Sequence, residues 1–280
     1  MGWLNLDGYD GWGEWEEPHS FGVLEIGKGK MSFDRYSDSV FFMMKTSERI
    51  QRDPLGLEWA GKGLEIPVGR LTDRTGPMPP PIGLAVSLFI ELFTLTEGLY
   101  DLPLKDLISR LWRHSLRSGY LAALITEAQG GQSLSIWQSF AGGLLHDTGL
   151  LILLSQESGL YLKVVEYACS QGAELQTVEQ EVFGTNHAQL GAVLLARWGL
   201  EELLVSIVGF HDEPFQLSHG RFCPATAVYL ANLLDGGGIA QDGDGILSPA
   251  GKDYLLGLGL YDQLPYWQEC MRDIQKKSWG

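Results

Sequence analysis

Residues 133–154 read SLSIWQSFAGGLLHDTGLLILL, the most apolar helical stretch in the chain, with His146 and Asp147 in its middle. Gly142 and Gly143 weaken the stretch as a helix but allow close packing. Consecutive helical residues point about 100° apart, so His146 and Asp147 cannot both escape to a surface that hardly exists here. A carboxylate buried alone costs several kcal/mol or more, roughly. Asp147 must therefore be paired, protonated or bound to a cation. A structural Asp–His or Asp–Arg pair would meet that need as well as a metal.

Outward from this stretch the pattern stays helical. Apolar residues recur at three and four spacing in GLAVSLFIELFTL, from Gly83, and in LPLKDLISRLWRHSLRSGYLAALITEA, residues 102–128. Further helices are expected at 158–171, 187–198, 200–212, 222–235 and 260–277. Thr185 or Asn186 is the expected N-cap of the helix carrying His187, and Gly199 ends it. TGPMPPPIG, Thr75 to Gly83, is a break that no helix should cross, because proline lacks the amide hydrogen and restricts its neighbour. A boundary is placed there. Residues 1–79 form an atypical Gly/Trp-rich segment, irregular or mixed, with short strands expected in FGVLEIG and SVFFMMK. Residues 80–280 form a helical domain, and the fold class is all-α.

Composition narrows the function. The 280 residues are 45% hydrophobic and 20% charged, the balance of a soluble globular protein. Acidic residues outnumber basic ones 35 to 20, for a net charge of −15. That field repels phosphate backbones and anionic lipid, so neither nucleic acid nor membrane is the expected partner. The longest apolar candidate, Gly83 to Leu95, is interrupted by Glu91 and too short to span a bilayer. No leader peptide is expected from MGWLNLDGYDGWGEWEEP. Cys169, Cys223 and Cys270 are too few and too scattered for a disulfide scaffold, so a reducing, cytoplasmic setting is expected. Cys169 and Cys223 lack a basic cluster and read as buried, inert thiols.

Four histidines lie in segments that otherwise read as core: His114 in LWRHS, His146 in GLLHDTG, His187 in FGTNHAQLG and His211 in GFHDEP. Imidazole nitrogen with carboxylate oxygen suits zinc, iron, manganese or nickel. His187 falls in the first turn of its helix, whose positive end disfavours protonation and leaves a neutral ring able to ligate. A single histidine in a core helix is more often a satisfied core residue than a ligand. Four on separate helices, one followed directly by aspartate, point to convergence.

The ordered set LWRHS, GLLHDTGLLIL, VFGTNHAQLGAVLLARWGL, IVGFHDEP and AVYLANLL resembles the HDOD domain, a helical output-type branch of the HD superfamily of metal-dependent phosphohydrolases. The likeness runs from about Leu111 to Leu234 and back toward residue 83; it does not cover the N-terminal segment. The resemblance implies an HD-type helical bundle in a bacterial-type regulator. It implies that His114 is the first metal histidine, that His146 and Asp147 are the HD dyad with Asp147 bridging two metals, and that His187 and His211 complete a second site as in the related HD-GYP phosphodiesterases. Glu181 matches a structural glutamate before the FG pair.

Three departures weigh against hydrolysis of a cyclic dinucleotide and leave metal binding intact. Leu150 stands where active branches carry lysine. The second residue of the His–His pair is Asp212, without the GYP-type signature after it. The late metal aspartate is replaced by Asn232, with Asp235 one turn away on the same face.

The expected function is therefore regulatory: an HDOD bundle that binds a signalling protein or a small phosphorylated ligand and keeps a residual divalent metal site. The alternative is a metal-dependent phosphohydrolase. There, Asp147 and Asp212 would serve catalysis, and a mono- or binuclear centre would draw on His114, His146, Asp147, His187, His211, Asn232 and Asp235. DGDG, residues 242–245, reads as an acidic turn rather than a calcium loop. Trp112, Trp137 and Trp198 read as core.

Overall fold

The computed structural model describes residues 24–26, 29–31, 68–97, 102–218, 220–236 and 247–276. Ahead of the helices stands a short antiparallel hairpin, β1 (Leu24–Ile26) and β2 (Gly29–Met31), with Leu24 opposite Met31. β1 falls within the expected FGVLEIG strand, at residues 21–27, and β2 lies just after it. SVFFMMK at 39–45, the 242–245 turn and His219 lie outside the described residues.

Everything else regular among the described residues is helical: α1 (Val68–Thr75), α2 (Pro80–Glu97), α3 (Leu102–Ala128), α4 (Ser133–Leu145), α5 (Thr148–Gln171), α6 (Leu175–Phe183), α7 (His187–Arg197), α8 (Glu202–Gly209), α9 (Phe215–Ser218), α10 (Pro224–Leu234), α11 (Pro249–Gly257) and α12 (Leu264–Lys276). The expected helical bundle is present. α2 begins inside the proline run, because Pro80 and Pro81 fall in its first turn, where a missing amide hydrogen costs nothing. α1 precedes the boundary at 79/80, and its Leu71 joins the same core. Arg74 of α1 also pairs with Glu127 of α3 at 2.6 Å. Helices α1, α6, α9 and α11 escape the periodicity reading because each is only four to nine residues long.

Helix α4 is the centre of the bundle and packs on α2, α3, α8 and α10. Its glycines permit this. A Cβ on Gly143 would stand 2.6 Å from the Cα of Gly119, so the backbones of α3 and α4 touch. One on Gly142 would meet the Ile207 side chain of α8 at 2.5 Å. Trp137 and Phe140 fill the surrounding core, and Trp112 of α3 stacks on Phe89 of α2 with centroids 4.6 Å apart. Trp198 is partly buried against the same core. A second interface, α5 against α7, depends on Gly149, where a Cβ would fall 1.9 Å from the carbonyl oxygen of His187. No described helix is long and apolar enough to cross a membrane.

Two expectations need correction. The 133–154 stretch is not one helix. It divides at His146 and Asp147, where Asp147 leaves helical geometry (φ −98°, ψ 10°), and α5 then runs unbroken through residues 155–157 to Gly172. Cys169 is exposed rather than buried; Cys223 is half-buried.

Candidate metal centre

The break between α4 and α5 is what aims the HD dyad. The Thr148 hydroxyl donates to the Leu145 carbonyl at 2.8 Å, closing the turn. Asp147 then projects from the start of α5 into the bundle. His114 reaches it from the middle of α3. His187 is the first residue of α7, whose N-terminus is set by Asn186: its side chain accepts from the Gln189 amide, and the Gln189 side chain returns the bond. His211 lies in the turn after α8. All four histidines and Asp147 are buried.

Each ring is held from behind through Nδ1. His146 Nδ1 lies 2.8 Å from the Gly143 carbonyl oxygen, and His211 Nδ1 lies 2.7 Å from that of Val208. His114 Nδ1 meets Asp235 Oδ2 at 2.8 Å, and His187 Nδ1 meets Glu179 Oε2 at 2.7 Å. Carbonyl and carboxylate oxygens only accept, so all four Nδ1 atoms carry the hydrogen. All four Nε2 atoms therefore turn inward on Asp147. Its Oδ2 lies 3.5 Å from His114 Nε2 and 3.4 Å from His146 Nε2. Its Oδ1 lies 3.7 Å from His187 Nε2 and 3.9 Å from His211 Nε2. One carboxylate thus divides its oxygens between two histidine pairs. Asp212 adds a carboxylate to the second pair, with Oδ2 3.6 Å from His187 Nε2 and 3.4 Å from His211 Nε2.

Within each pair the Nε2 atoms face one another, at 3.1 Å for His114 and His146 and 3.3 Å for His187 and His211. Two bare lone pairs at that range repel, so positive charge must sit between them. Protons supply it in the cation-free protein. Burial opposes charge on His187, but Glu179, Asp212 and Asp147 overcome it and push the ring up to about 10. His187 is thus an imidazolium at neutral pH, and the neutral ring expected from the helix N-terminus is corrected: the nearby carboxylates outweigh the helix end. Burial opposes charge on His114 too, but the Asp235 hydrogen bond leads the groups that raise it. Burial keeps His146 neutral, down at about 4. For Asp147, burial alone would raise the carboxyl; the surrounding imidazoles win and hold it down at about 2.

A divalent cation fits the same arrangement. Two nitrogens about 2.1 Å from one ion stand about 3.0 Å apart at a right angle and about 3.4 Å apart at the tetrahedral angle. The observed separations lie in that interval. Two ligand groups are geometrically able to hold an ion: His114, His146 and Asp147, and Asp147, His187 and His211. Inward Nε2 atoms with outward-bonded Nδ1–H groups are the second-layer arrangement that metal-ligating histidines use.

The remaining expected ligands differ. Asp235 is not turned toward an ion: it accepts from His114, from Arg117 through Nε at 2.8 Å and Nη2 at 2.8 Å, and from Gln275 at 2.8 Å. Its role is to orient His114. Asn232 donates to Asp212 Oδ1 at 3.3 Å, and its own buried Oδ1 has no hydrogen-bond partner among the described residues. That oxygen keeps its lone pairs unused, on a side chain that touches Asp212. Glu181 is exposed; the structural glutamate is Glu179, two residues earlier and fully buried. Glu179 binds both the His187 amide, at 2.8 Å, and its ring, and accepts from the Tyr161 hydroxyl at 2.5 Å. Its signal was a carboxylate eight residues ahead of a histidine, two helices that sequence reading did not join. Leu150, where active branches carry lysine, is buried in the core.

Comparison with known proteins shows what the chain is similar to. Residues 84–214 match the HDOD domain family. An uncharacterized protein of Treponema pallidum (strain Nichols) is 30% identical over 120 residues, which is 43% of this chain and 23% of that protein. The matched segment thus spans under a quarter of that relative's length. Two crystal structures share the fold. An HDOD domain protein of unknown function from Geobacter sulfurreducens superposes with a TM-score of 0.54 at 18% identity over 84% of each chain. A signal transduction protein from Marinobacter aquaeolei VT8 gives 0.53 at 17% identity, over 84% of this chain and 52% of that one. The histidines and Asp147 all stand between residues 114 and 211, inside the segment that matches the HDOD domain family.

Proposed function

We propose that this chain is a regulatory, signal-transduction protein whose HDOD domain binds a signalling protein or a small phosphorylated ligand, and that a buried divalent cation clamps the helices presenting that surface. One observation carries the reading: Asp147 gives one oxygen to each of two histidine pairs while remaining only 5% exposed. A centre so enclosed ties α3, α4, α5 and α7 together more readily than it admits a substrate. The absence of lysine at Leu150 and of aspartate at Asn232 supports the same reading.

Elemental analysis of the purified protein tests it. Metal near one equivalent per chain, lost together with thermal stability in Asp147→Ala, is the expected result. Full retention of both in Asp147→Ala and His146→Ala overturns it.

A metal-dependent phosphohydrolase is the second reading, favoured by Asp212, whose side chain is 24% exposed beside His187 and His211. A bound divalent cation would supply Lewis acidity toward water and phosphoryl oxygen. Asp212 would accept a proton from water in this reading, and the Asn232 amide holds its other oxygen in position. Turnover of generic phosphomonoesters or diesters by metal-loaded protein, abolished in Asp212→Asn, would establish it.

A further inference from the structure

The two histidine pairs match on the inside and differ behind. Each has one ring backed by a backbone carbonyl and one backed by a buried carboxylate. Asp235, behind His114, carries the Arg117 guanidinium on both oxygens. Glu179, behind His187, has among the described residues only the uncharged Tyr161 hydroxyl on its other oxygen. Asp212 adds a further carboxylate to the second pair, and the described structure places no comparable carboxylate on the first. The surroundings of the His114 and His146 pair thus hold two carboxylates and a guanidinium, and those of the His187 and His211 pair hold three carboxylates. In a buried setting each such charge acts at close range with little screening.

We propose that the two positions fill in order: a first divalent cation is taken tightly by His187, His211, Asp147 and Asp212, and the His114 and His146 position is kept weak by Arg117. The ordering rests on the metal reading given above. Its basis is charge: attraction for a cation rises with uncompensated carboxylate, and outer carboxylates that back a ligating histidine change metal affinity by roughly 10–100-fold. Occupancy of the first position also lowers the charge that Asp147 can offer the second, so the two differ further. Arg117 and Glu179 touch no ion themselves; they act as positioning residues, through Asp235 and His114 in one case and through His187 in the other.

Cobalt(II) is the probe, added to metal-stripped full-length protein and followed by calorimetry and by its visible absorption bands. One equivalent should bind at least about tenfold more tightly than any second. His187→Ala and Asp212→Asn should lose the tight equivalent; His114→Gln should keep it and lose the weak one. Glu179→Gln should weaken the tight equivalent roughly tenfold. Arg117→Met should strengthen the weak equivalent and leave the tight one unchanged. A gain of affinity is a readout that damage to the fold cannot produce, and circular dichroism confirms folding of each variant. Loss of the tight equivalent in His114→Gln, with retention in His187→Ala, overturns the ordering, as do two equal equivalents. No cobalt binding by the unaltered protein overturns the metal reading itself and the ordering with it.

Discussion

His114 and His146 reach Asp147 from α3 and the end of α4, whereas His187 and His211 arrive from the start of one shorter helix and the turn after another. The first side is assembled by long-helix packing, with the backbones of Gly119 and Gly143 in contact. The second is assembled by local devices: the Asn186 cap, the buried Glu179 and the close approach of Gly149 to the His187 carbonyl. Helices can thus deliver imidazoles to one carboxylate either by shared apolar surface or by capping and buried hydrogen bonds. The second route holds its ring more rigidly, because Glu179 grips both the backbone and the ring of one residue.

The sharpest way to break the second side is Gly149→Ala. The new Cβ meets a carbonyl oxygen at 1.9 Å, and backbone cannot swing aside as a side chain can. Destabilisation of about 3 kcal/mol or more is expected in urea unfolding, with loss of metal. Gly143→Ala should cost less, because its nearest atom lies at 2.6 Å.

A change of pH probes both sides together. In the cation-free protein His187 is raised from the usual 6.5 to about 10, so its stabilisation is complete below about 6.5 and is lost as pH rises toward 10. His146 is lowered to about 4, so the stability tied to its neutral ring is complete above 6.5 and is lost as pH falls toward 4. Asp147, held at about 2, adds a further loss as pH falls below its usual 3.8. Unfolding midpoints of the stripped protein should peak near pH 6.5 and fall on both sides. Cation uptake at neutral pH should release the His187 proton, visible in calorimetry as an enthalpy that depends on the buffer. A flat stability profile from pH 4 to 9 would contradict this account of the charges.

Tyr161→Phe isolates the outermost contact. It removes the only hydrogen bond to Glu179 Oε1 among the described residues and leaves a buried oxygen unpaired, at a cost of about 1–3 kcal/mol. The effect should fall on the His187 and His211 side and spare the other, as ring NMR shifts would show. Asn186→Ala is the mildest change, about 1 kcal/mol from the lost cap, with metal content unaltered.

Much of the architecture was readable along the chain. Apolar spacing located the long helices, and the four histidines with Asp147 stood out because their segments offered no polar surface to hold them. Glu179 was missed in favour of Glu181 because both lie in one short helix, and only packing decides which of them faces Tyr161 and His187. Asp235 drew notice as a ligand because it lies one turn from Asn232. Its capture by Arg117, 118 residues away in sequence, depends on α3 and α10 lying side by side.

The amino-acid sequence by itself determined that the four imidazoles and Asp147 are buried and which segments carry them, because burial follows from local apolar periodicity. Tertiary structure alone decided which nitrogen of each ring faces inward, which carboxylates touch the cluster and which stand behind it, and where Arg117 offsets charge. Those choices depend on contacts within about 4 Å between helices far apart in the chain, and no local pattern encodes them.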